Sequence, residues 1–341
     1  MEGLHPEAGQ VSTLMARDKK PRGSDAKLVR LFALCNQSAS AETTRELQQY
    51  LADRSNLVVA EAAKVVKEQA VAELTGDLVT AFDRMMVDPE ERDKHCRAKI
   101  EIVEALNALD YSDPDLFVRG ITHRQDIRFG DPPGQDAAGI LRANCGIALA
   151  RINAPGVVLL LTELLLDTDN TARAGAARAL GGTGSLAAIP LLRYKVRVGD
   201  SLVDVIGECF ASLLNLSFME SLPFVAEYLR ARDSEIQSTA MFALAESRRP
   251  EACVVLKDFW PEASPNLHEA LLTALAMSRL PVANDFLIRL IADRDSSAIT
   301  AVSALAIHRH NPRITADIAA AVAINGRSSV RECFERKFPA E

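Results

Sequence analysis

The fold is decided by the stretch "DNTARAGAARALGGTGSLAAIPLL", residues Asp169–Leu192, in which an alanine-rich segment meets a glycine-rich turn and then a second apolar segment. The turn "GGTG" could be a phosphate-binding loop or the joint of a repeated unit. A phosphate-binding loop of the usual kind follows a strand and ends in Gly-Lys-Ser or Gly-Lys-Thr, and the stretch has neither feature. Recurrence of the pattern at a fixed period would favour a repeat.

Leu180 in "ARAGAARAL" has counterparts in the same local pattern along the chain. From Leu149 onward they are spaced by 31, 33, 31, 31 and 30 residues, and Leu106 lies 43 residues before Leu149. This anchor column consists of Leu106, Leu149, Leu180, Leu213, Leu244, Leu275 and Leu305. The positions one and four residues before each anchor are small or apolar, which is the spacing of a closely packed helix face. A period of about 31 residues suits one helical hairpin. The sequence therefore predicts an all-α fold in which Leu180, Leu213, Leu244, Leu275 and Leu305 are buried.

Signals for helix starts accompany the repeat. An aspartate stands just before the anchored helix in four repeats, where it can cap free N–H groups and meet the positive end of the helix dipole. These aspartates are Asp169, Asp200, Asp233 and Asp295. Prolines mark the first turn of the other helix, where a missing N–H costs little. They are Pro190, Pro223 and Pro281.

At these residues the chain resembles the HEAT-repeat proteins, in particular the bacterial phycobilisome-lyase-type HEAT-like repeats. The resemblance is strongest at 169–192 and extends over about 95–325. It implies a right-handed α-solenoid of stacked antiparallel helical hairpins that binds partners on an extended surface. It also implies an Asp and an Arg six residues apart that link neighbouring repeats. Asp167 and Arg173 match that pair, whereas Gln237 and His268 replace the Arg in later repeats.

The same resemblance includes enzymes, which leaves two functional classes open. Deoxyhypusine hydroxylases carry several His-Glu pairs around two irons, but this chain has one such pair, His268-Glu269. Bilin lyases act as paired subunits, which the sequence does not test. No catalytic set, metal site or cofactor site is identified. We therefore predict a non-catalytic protein–protein interaction scaffold or adaptor. The alternative is an enzyme or enzyme subunit that is bilin-lyase-like or metal-dependent hydroxylase-like.

The composition limits which partners and which cellular compartment are expected. The net charge is −7, which argues against a nucleic-acid partner and leaves another protein as the expected one. The apolar run at 157–166 is too short to cross a bilayer, so no membrane association is expected. The six cysteines form no Cys-x-x-Cys pair, which suits buried thiols in a reducing cytoplasm. Residues 1–25 are polar and predict a flexible tail, and 26–341 a single domain.

One repeat interval contains an insertion. The 43 residues between Leu106 and Leu149 hold about twelve more than the period requires, and the excess falls in "RGITHRQDIRFGDPPGQDAAG", residues 119–139. Inserted loops leave the stack of a repeat protein and often bind partners. The predicted binding residues are Arg119, His123, Arg124, Arg128, Phe129 and Arg142. The alternative is a loop that fills a gap in the stack, with its basic side chains solvated or paired with Asp126 and Asp131.

Overall fold

A computed structural model of the chain describes residues 23–38, 40–127 and 135–339. Within these ranges the chain forms twenty α-helices, and the only β pairing described there is an isolated bridge between Asp126 and Asp136. The predicted all-α class is confirmed. The chain divides into two compact units, Met1–Cys145 and Gly146–Glu341, and the division falls inside one helix. A single domain over 26–341 stays a prediction.

The first unit is built from helical hairpins. Its helices are α1 (Ser24–Cys35), α2 (Ala41–Leu51), α3 (Asn56–Glu68), α4 (Thr75–Met86), α5 (Pro89–Arg92), α6 (Arg97–Ala108), α7 (Pro114–Ile121) and the first half of α8 (Gly139–Arg151). Helices α1, α3 and α6 pack in succession in one row, with α2 and α4 beside them. Helix α1 takes in the last two residues of the predicted tail, and residues 1–22 lie outside the described chain.

The second unit continues the pattern with one hairpin per repeat. Its helices after α8 are α9 (Val157–Leu164), α10 (Asn170–Gly182), α11 (Ala188–Val198), α12 (Val203–Leu216), α13 (Phe218–Glu227), α14 (Ser234–Glu246), α15 (Pro250–Phe259), α16 (His268–Met277), α17 (Pro281–Ala292), α18 (Ala298–Leu305), α19 (Pro312–Asn325) and α20 (Ser328–Lys337). The even-numbered helices from α10 to α20 pack in succession. Stacked hairpins of this kind make an α-solenoid, as predicted.

The anchor column forms the core of the repeated part. All seven anchor leucines are 0% exposed, which confirms the burial predicted for the last five of them. The small residues beside them let the helices approach closely. At Gly181, for example, an added Cβ would lie 2.4 Å from the Ser212 Oγ of the next anchored helix. Gly184 turns the chain with a φ of +66°, so the glycines of "GGTG" serve packing and the turn, as the repeat interpretation requires.

The capping predictions are confirmed in part. Asp169 accepts a hydrogen bond from the Ala172 N–H, and Asp233 accepts one from the Glu235 N–H. Asp200 is not a helix cap, because α12 begins only after Leu202. The predicted place of Pro223 in a first turn is also wrong: it lies in the interior of α13. Ser217 both ends α12 and starts α13, so α13 begins five residues before the proline.

Candidate functional site

Within the insertion two short segments, 125–127 and 135–137, pair with each other as a hairpin. We call this pairing the neck. The Ala137 N–H donates to the Gln125 carbonyl at 2.8 Å, and the Ile127 N–H donates to the Gln135 carbonyl at 2.9 Å. Residues 128–134, which include the predicted binding residues Arg128 and Phe129, lie outside the described chain. The neck holds the two arms of the insertion in a fixed register.

Three of the predicted binding residues lie near the surface of the first unit. Arg119 is exposed and pairs with Asp83 at 2.8 Å. Arg124 has a side chain that is 55% exposed and lies 3.7 Å from an Asp136 oxygen. His123 is half-buried beside Gln125, and burial lowers the pKa of its imidazole. The exposed cations therefore already face carboxylates of this chain.

Arg142 lies elsewhere than the sequence suggested. Its side chain is 0% exposed, with Nη1 2.6 Å from an Asp136 oxygen and 3.0 Å from the His123 carbonyl that it donates to. The reason is the repeat itself, because Arg142 stands seven residues before Leu149 on the buried side of α8. The structure thus separates this guanidinium from the surface instead of adding it to a basic patch.

A second buried ion pair fixes the first arm of the insertion. Lys99 and Asp93 are both 0% exposed, and the Lys99 Nζ lies 3.0 Å from an Asp93 oxygen. The same ammonium donates to the Gln125 side-chain oxygen at 2.9 Å. The Gln125 amide in turn donates to the Asp93 carbonyl at 2.6 Å. A charge buried this deeply is tolerated only when paired and hydrogen-bonded, so Gln125 ties the insertion to the preceding repeat.

These pairs belong to one feature of the repeat. The position seven residues before the anchor holds Lys99, Arg142 and Arg173, and we call it the cation column. The position thirteen residues before the anchor holds Asp93, Asp136 and Asp167. Sequence reasoning noticed only the third pair. The common six-residue spacing was the signal that would have found the other two.

Arg173 links neighbouring repeats, as predicted, but through a different carboxylate. It donates to both oxygens of Asp200 at 2.7 Å and to the backbone carbonyl of Asp167 at 2.9 Å. Lys195 lies 2.8 Å from the same Asp200 carboxylate. Burial of Asp200 acts to raise its pKa, but the hydrogen bonds from Arg173 and Lys195 outweigh burial and hold that pKa far below its usual range.

In two later repeats the same position holds Gln237 and His268 in place of Lys or Arg and keeps a contact with a backbone carbonyl. Gln237 donates to the Leu229 carbonyl at 2.8 Å, and His268 lies 3.1 Å from the Ala263 carbonyl. The His268 ring also packs at 4.3 Å from the Trp260 ring. Among the described residues no group of three His, Cys, Asp or Glu side chains is placed to hold a metal ion.

An exposed apolar strip runs across the second unit. It consists of the positions six and ten residues after successive anchors, at the start of the odd-numbered helices. Its apolar members are Pro155, Leu159, Leu186, Pro190, Met219, Pro223, Pro250, Val254 and Pro281, and all nine are exposed. The position ten residues after Leu275 holds the exposed Asp285 and ends the strip. Leu159 is 74% exposed, and Leu186 and Met219 are each 64% exposed. The two positions are four apart, so they share one helix face where both are helical.

The strip differs from the single exposed apolar side chains that are scattered over most protein surfaces. Exposed prolines at helix starts are common, and single exposed apolar side chains need no explanation. Here a large apolar side chain is exposed at one or the other of these two positions in four successive repeats, through Val254. Contiguous exposed apolar surface of this kind marks interaction sites in soluble proteins. The strip is therefore the best candidate for a functional surface among the described residues.

Comparison with known proteins defines the class of repeat. Residues 135–201 match the family model of HEAT repeats. The predicted resemblance is thus confirmed over this segment, which includes Asp169–Leu192. No curated protein matches the sequence. Across the described ranges no helix combines the length and apolar character needed to span a bilayer.

Solved structures similar to this chain include one engineered protein and two natural ones. An engineered protein has 20% identity and a TM-score of 0.41, with coverage of 96% of this chain and 97% of that one. Human deoxyhypusine hydroxylase has 18% identity and a TM-score of 0.32, with coverage of 78% and 96%. The complex of CpcE and CpcF of phycocyanin lyase from Nostoc sp. PCC7120 has 16% identity and a TM-score of 0.36, with coverage of 67% and 88%. None of the three carries an argument about function.

Proposed function

We propose that this protein is a non-catalytic interaction scaffold or adaptor whose second unit binds another protein along the apolar strip. The observation that carries the proposal is the recurrence of exposed apolar side chains at Leu159, Leu186, Met219 and Val254. Burying such side chains gains roughly 1.5–3 kcal/mol each, so four of them supply the core of a stable interface. The polar and charged turns beside them would form its rim.

The compartment is part of the same proposal. All six cysteines are free and five of them are buried. Burial raises the pKa of both the Cys96 and Cys209 thiols to about 12, so neither is a thiolate at neutral pH. Unreactive free thiols support a protein that works in the reducing cytoplasm.

The insertion at 119–139 is proposed as a second, smaller contact. Arg119 and Arg124 are exposed at its base and offer planar donors for a carboxylate or phosphate. Their existing pairs with Asp83 and Asp136 favour the view that the described part of the insertion mainly closes the stack. A binding role would then rest on Arg128 and Phe129, which lie outside the described residues.

The strip is tested by charge introduction with a matched control. The test variant carries Leu186→Glu and Met219→Glu. The control carries Leu166→Glu and Ile324→Glu, at side chains that are 70% and 66% exposed and lie outside the strip. Both change the net charge equally at exposed positions, and circular dichroism checks that both keep their helices.

The readout is the stoichiometric partner that copurifies with tagged protein from the native host. We expect the control to retain the partner and the strip variant to lose it. Equal retention by both variants would overturn the proposed surface. A metal or chromophore bound to the purified wild type, in place of a protein partner, would favour the enzymatic alternative.

A further inference from the structure

A row of arginines follows the strip at one end. The position four residues after the anchor lies in the turn between the two helices of a hairpin, and we call it the turn column. In the second unit it holds Asn153, Gly184, Ser217, Arg248, Arg279 and Arg309. The last three successive repeats therefore place an arginine at the same position of the hairpin. Repeats stack with helices about 8–10 Å apart, so equivalent side chains recur at about that distance.

These three arginines differ from others in the same unit. Arg178, Arg197 and Arg230 each pair with a glutamate, namely Glu208, Glu227 and Glu262. Arg248, Arg279 and Arg309 are exposed, and none of them pairs with a carboxylate within the described ranges. Arg309 instead donates to the His310 ring at 3.0 Å. Three uncompensated positive charges thus lie side by side in an otherwise acidic protein.

The backbone at two of them is unfavourable. Arg248 and Arg279 have φ angles of 49° and 58°, in the left-handed region where the equivalent residues Asn153 and Gly184 are better suited. An arginine costs more there than asparagine or glycine would. Stability alone therefore does not account for arginine at these turns.

A cleft separates the second and third of these turns. It has a volume of about 360 Å³ and is lined by Arg279, Ile307, His308, His310, Asn311 and Ile314. No acidic side chain lines it. Ile307 is 45% exposed and adds apolar lining beside Arg279. Two residues after Arg248 and Arg279, the strip continues with Pro250 and Pro281. Positive and apolar groups consequently alternate along this edge.

We propose that the row Arg248, Arg279 and Arg309 receives an extended, acidic segment of the partner protein, with apolar side chains between its carboxylates. An extended chain advances about 3.3 Å per residue, so an acidic residue at every third position would meet one arginine per repeat. Each guanidinium offers a planar fork of donors that matches a carboxylate. The inference rests on the proposed function, because it names the partner chemistry for one end of the apolar strip.

The direct test uses a fluorescein-labelled peptide of four Glu-Leu-Ser units and full-length protein, with binding read by fluorescence anisotropy. The test variant is Arg248→Gln, Arg279→Gln and Arg309→Gln. The control is Arg178→Gln, Arg197→Gln and Arg230→Gln, which makes the same change of net charge where the arginines are already paired. A Lys-Leu-Ser peptide and an oligothymidine of equal length serve as further probes.

We expect the acidic peptide to bind the wild type and the control, and the test variant to bind it roughly tenfold or more weakly. The Lys-Leu-Ser peptide should not bind. Equal binding by both variants, or absence of binding to the wild type, would overturn the inference. Tighter binding of the oligothymidine through the same arginines would assign the row to nucleic acid and overturn it as well.

Retention of the native partner separates this inference from the proposed function. If the arginine test variant keeps both partner and peptide while the Leu186→Glu, Met219→Glu variant loses the partner, the inference fails and the scaffold proposal stands. If the strip variant also keeps its partner, the scaffold proposal itself fails.

Discussion

Residues 93–200 and residues 230–310 use the same repeat in different ways. In the earlier region the cation column is charged and buried, as at Lys99 and Arg142, and its charges meet aspartates inside the helix stack. In the later region that column holds no Lys or Arg, as at Gln237 and His268, and arginines stand on the exposed turns, as at Arg279. The cation column thus points basic side chains inward in the earlier region, and the turn column points them outward in the later one.

The difference shows that one residue type serves two purposes in a repeat. A buried, paired cation ties a turn to its neighbours and is costly to disturb, because removing one partner leaves the other charge buried. An exposed arginine contributes little to folding and stays free to bind. The position within the period, and not the local abundance of basic residues, therefore decides which role an arginine has.

The largest expected effect follows from breaking a buried pair. Arg142→Met removes the fully buried guanidinium from Asp136, and Arg124 lies farther from that carboxylate, at 3.7 Å. The change should cost roughly 3–5 kcal/mol of unfolding free energy. Gln237→Met, at the same column in the later region, removes one amide-to-carbonyl hydrogen bond and should cost about 1 kcal/mol. Urea denaturation of the two variants makes the comparison. Equal losses would show that the buried charge has no special structural role.

Truncating an anchor leucine should cost about the same stability in both regions. Leu106→Ala in the earlier region and Leu244→Ala in the later one each truncate a fully buried side chain. Each should cost roughly 2–5 kcal/mol, the usual range for a core leucine. Denaturation measured on both variants gives the values. A loss below about 0.5 kcal/mol at Leu244 would mean that its side chain is not part of the core.

Acid should weaken the link at Asp200. The pKa of Asp200 is lower in the folded than in the unfolded chain, so the unfolded chain takes up the proton first. The stability that Asp200 contributes is complete above the ordinary carboxyl range and is lost as the pH falls below about 4. The difference in stability between wild type and Asp200→Asn, on the order of 2 kcal/mol at neutral pH, should therefore shrink from about pH 6 to about pH 3. A difference that grew over this range would contradict the assigned direction.

The smallest effect is expected at the exposed base of the insertion. Arg124→Ala removes a side chain that is 55% exposed and 3.7 Å from an Asp136 oxygen. The loss of stability should be about 0.5 kcal/mol or less, the value of an exposed ion pair. Arg119→Ala provides the comparison at a closer pair. A melting temperature that dropped as far for Arg124→Ala as for Arg142→Met would place Arg124 in the buried network.

Much of the fold could be predicted because the anchor column is local and periodic. The spacing of Leu149, Leu180 and Leu213 fixes which face of each helix is buried, and burial at those positions follows directly. The insertion was located from the same count. Predictions that depended on one turn did less well, as at Asp200 and Pro223, because helix ends shift by a residue or two without changing the core.

The candidate site was less accessible to sequence reasoning for two physical reasons. Arg142 follows a polar loop and so resembles a surface residue, although its register relative to Leu149 places it inside. The apolar strip contains no unusual residue, and Leu186 or Met219 reads as an ordinary core residue until exposure is known. Only alignment of the repeats against the structure shows that these exposed side chains occupy one position.

The central claim is that the strip, and not the insertion, is the main partner-binding surface. Photocrosslinking in the native host tests it most directly, with a photoreactive residue placed at Leu186, at Met219, at Arg124 or at the control position Ile324. We predict one adduct of the same mass from Leu186 and Met219, and none from Ile324. An adduct from Arg124 alone, with none from either strip position, would contradict the account.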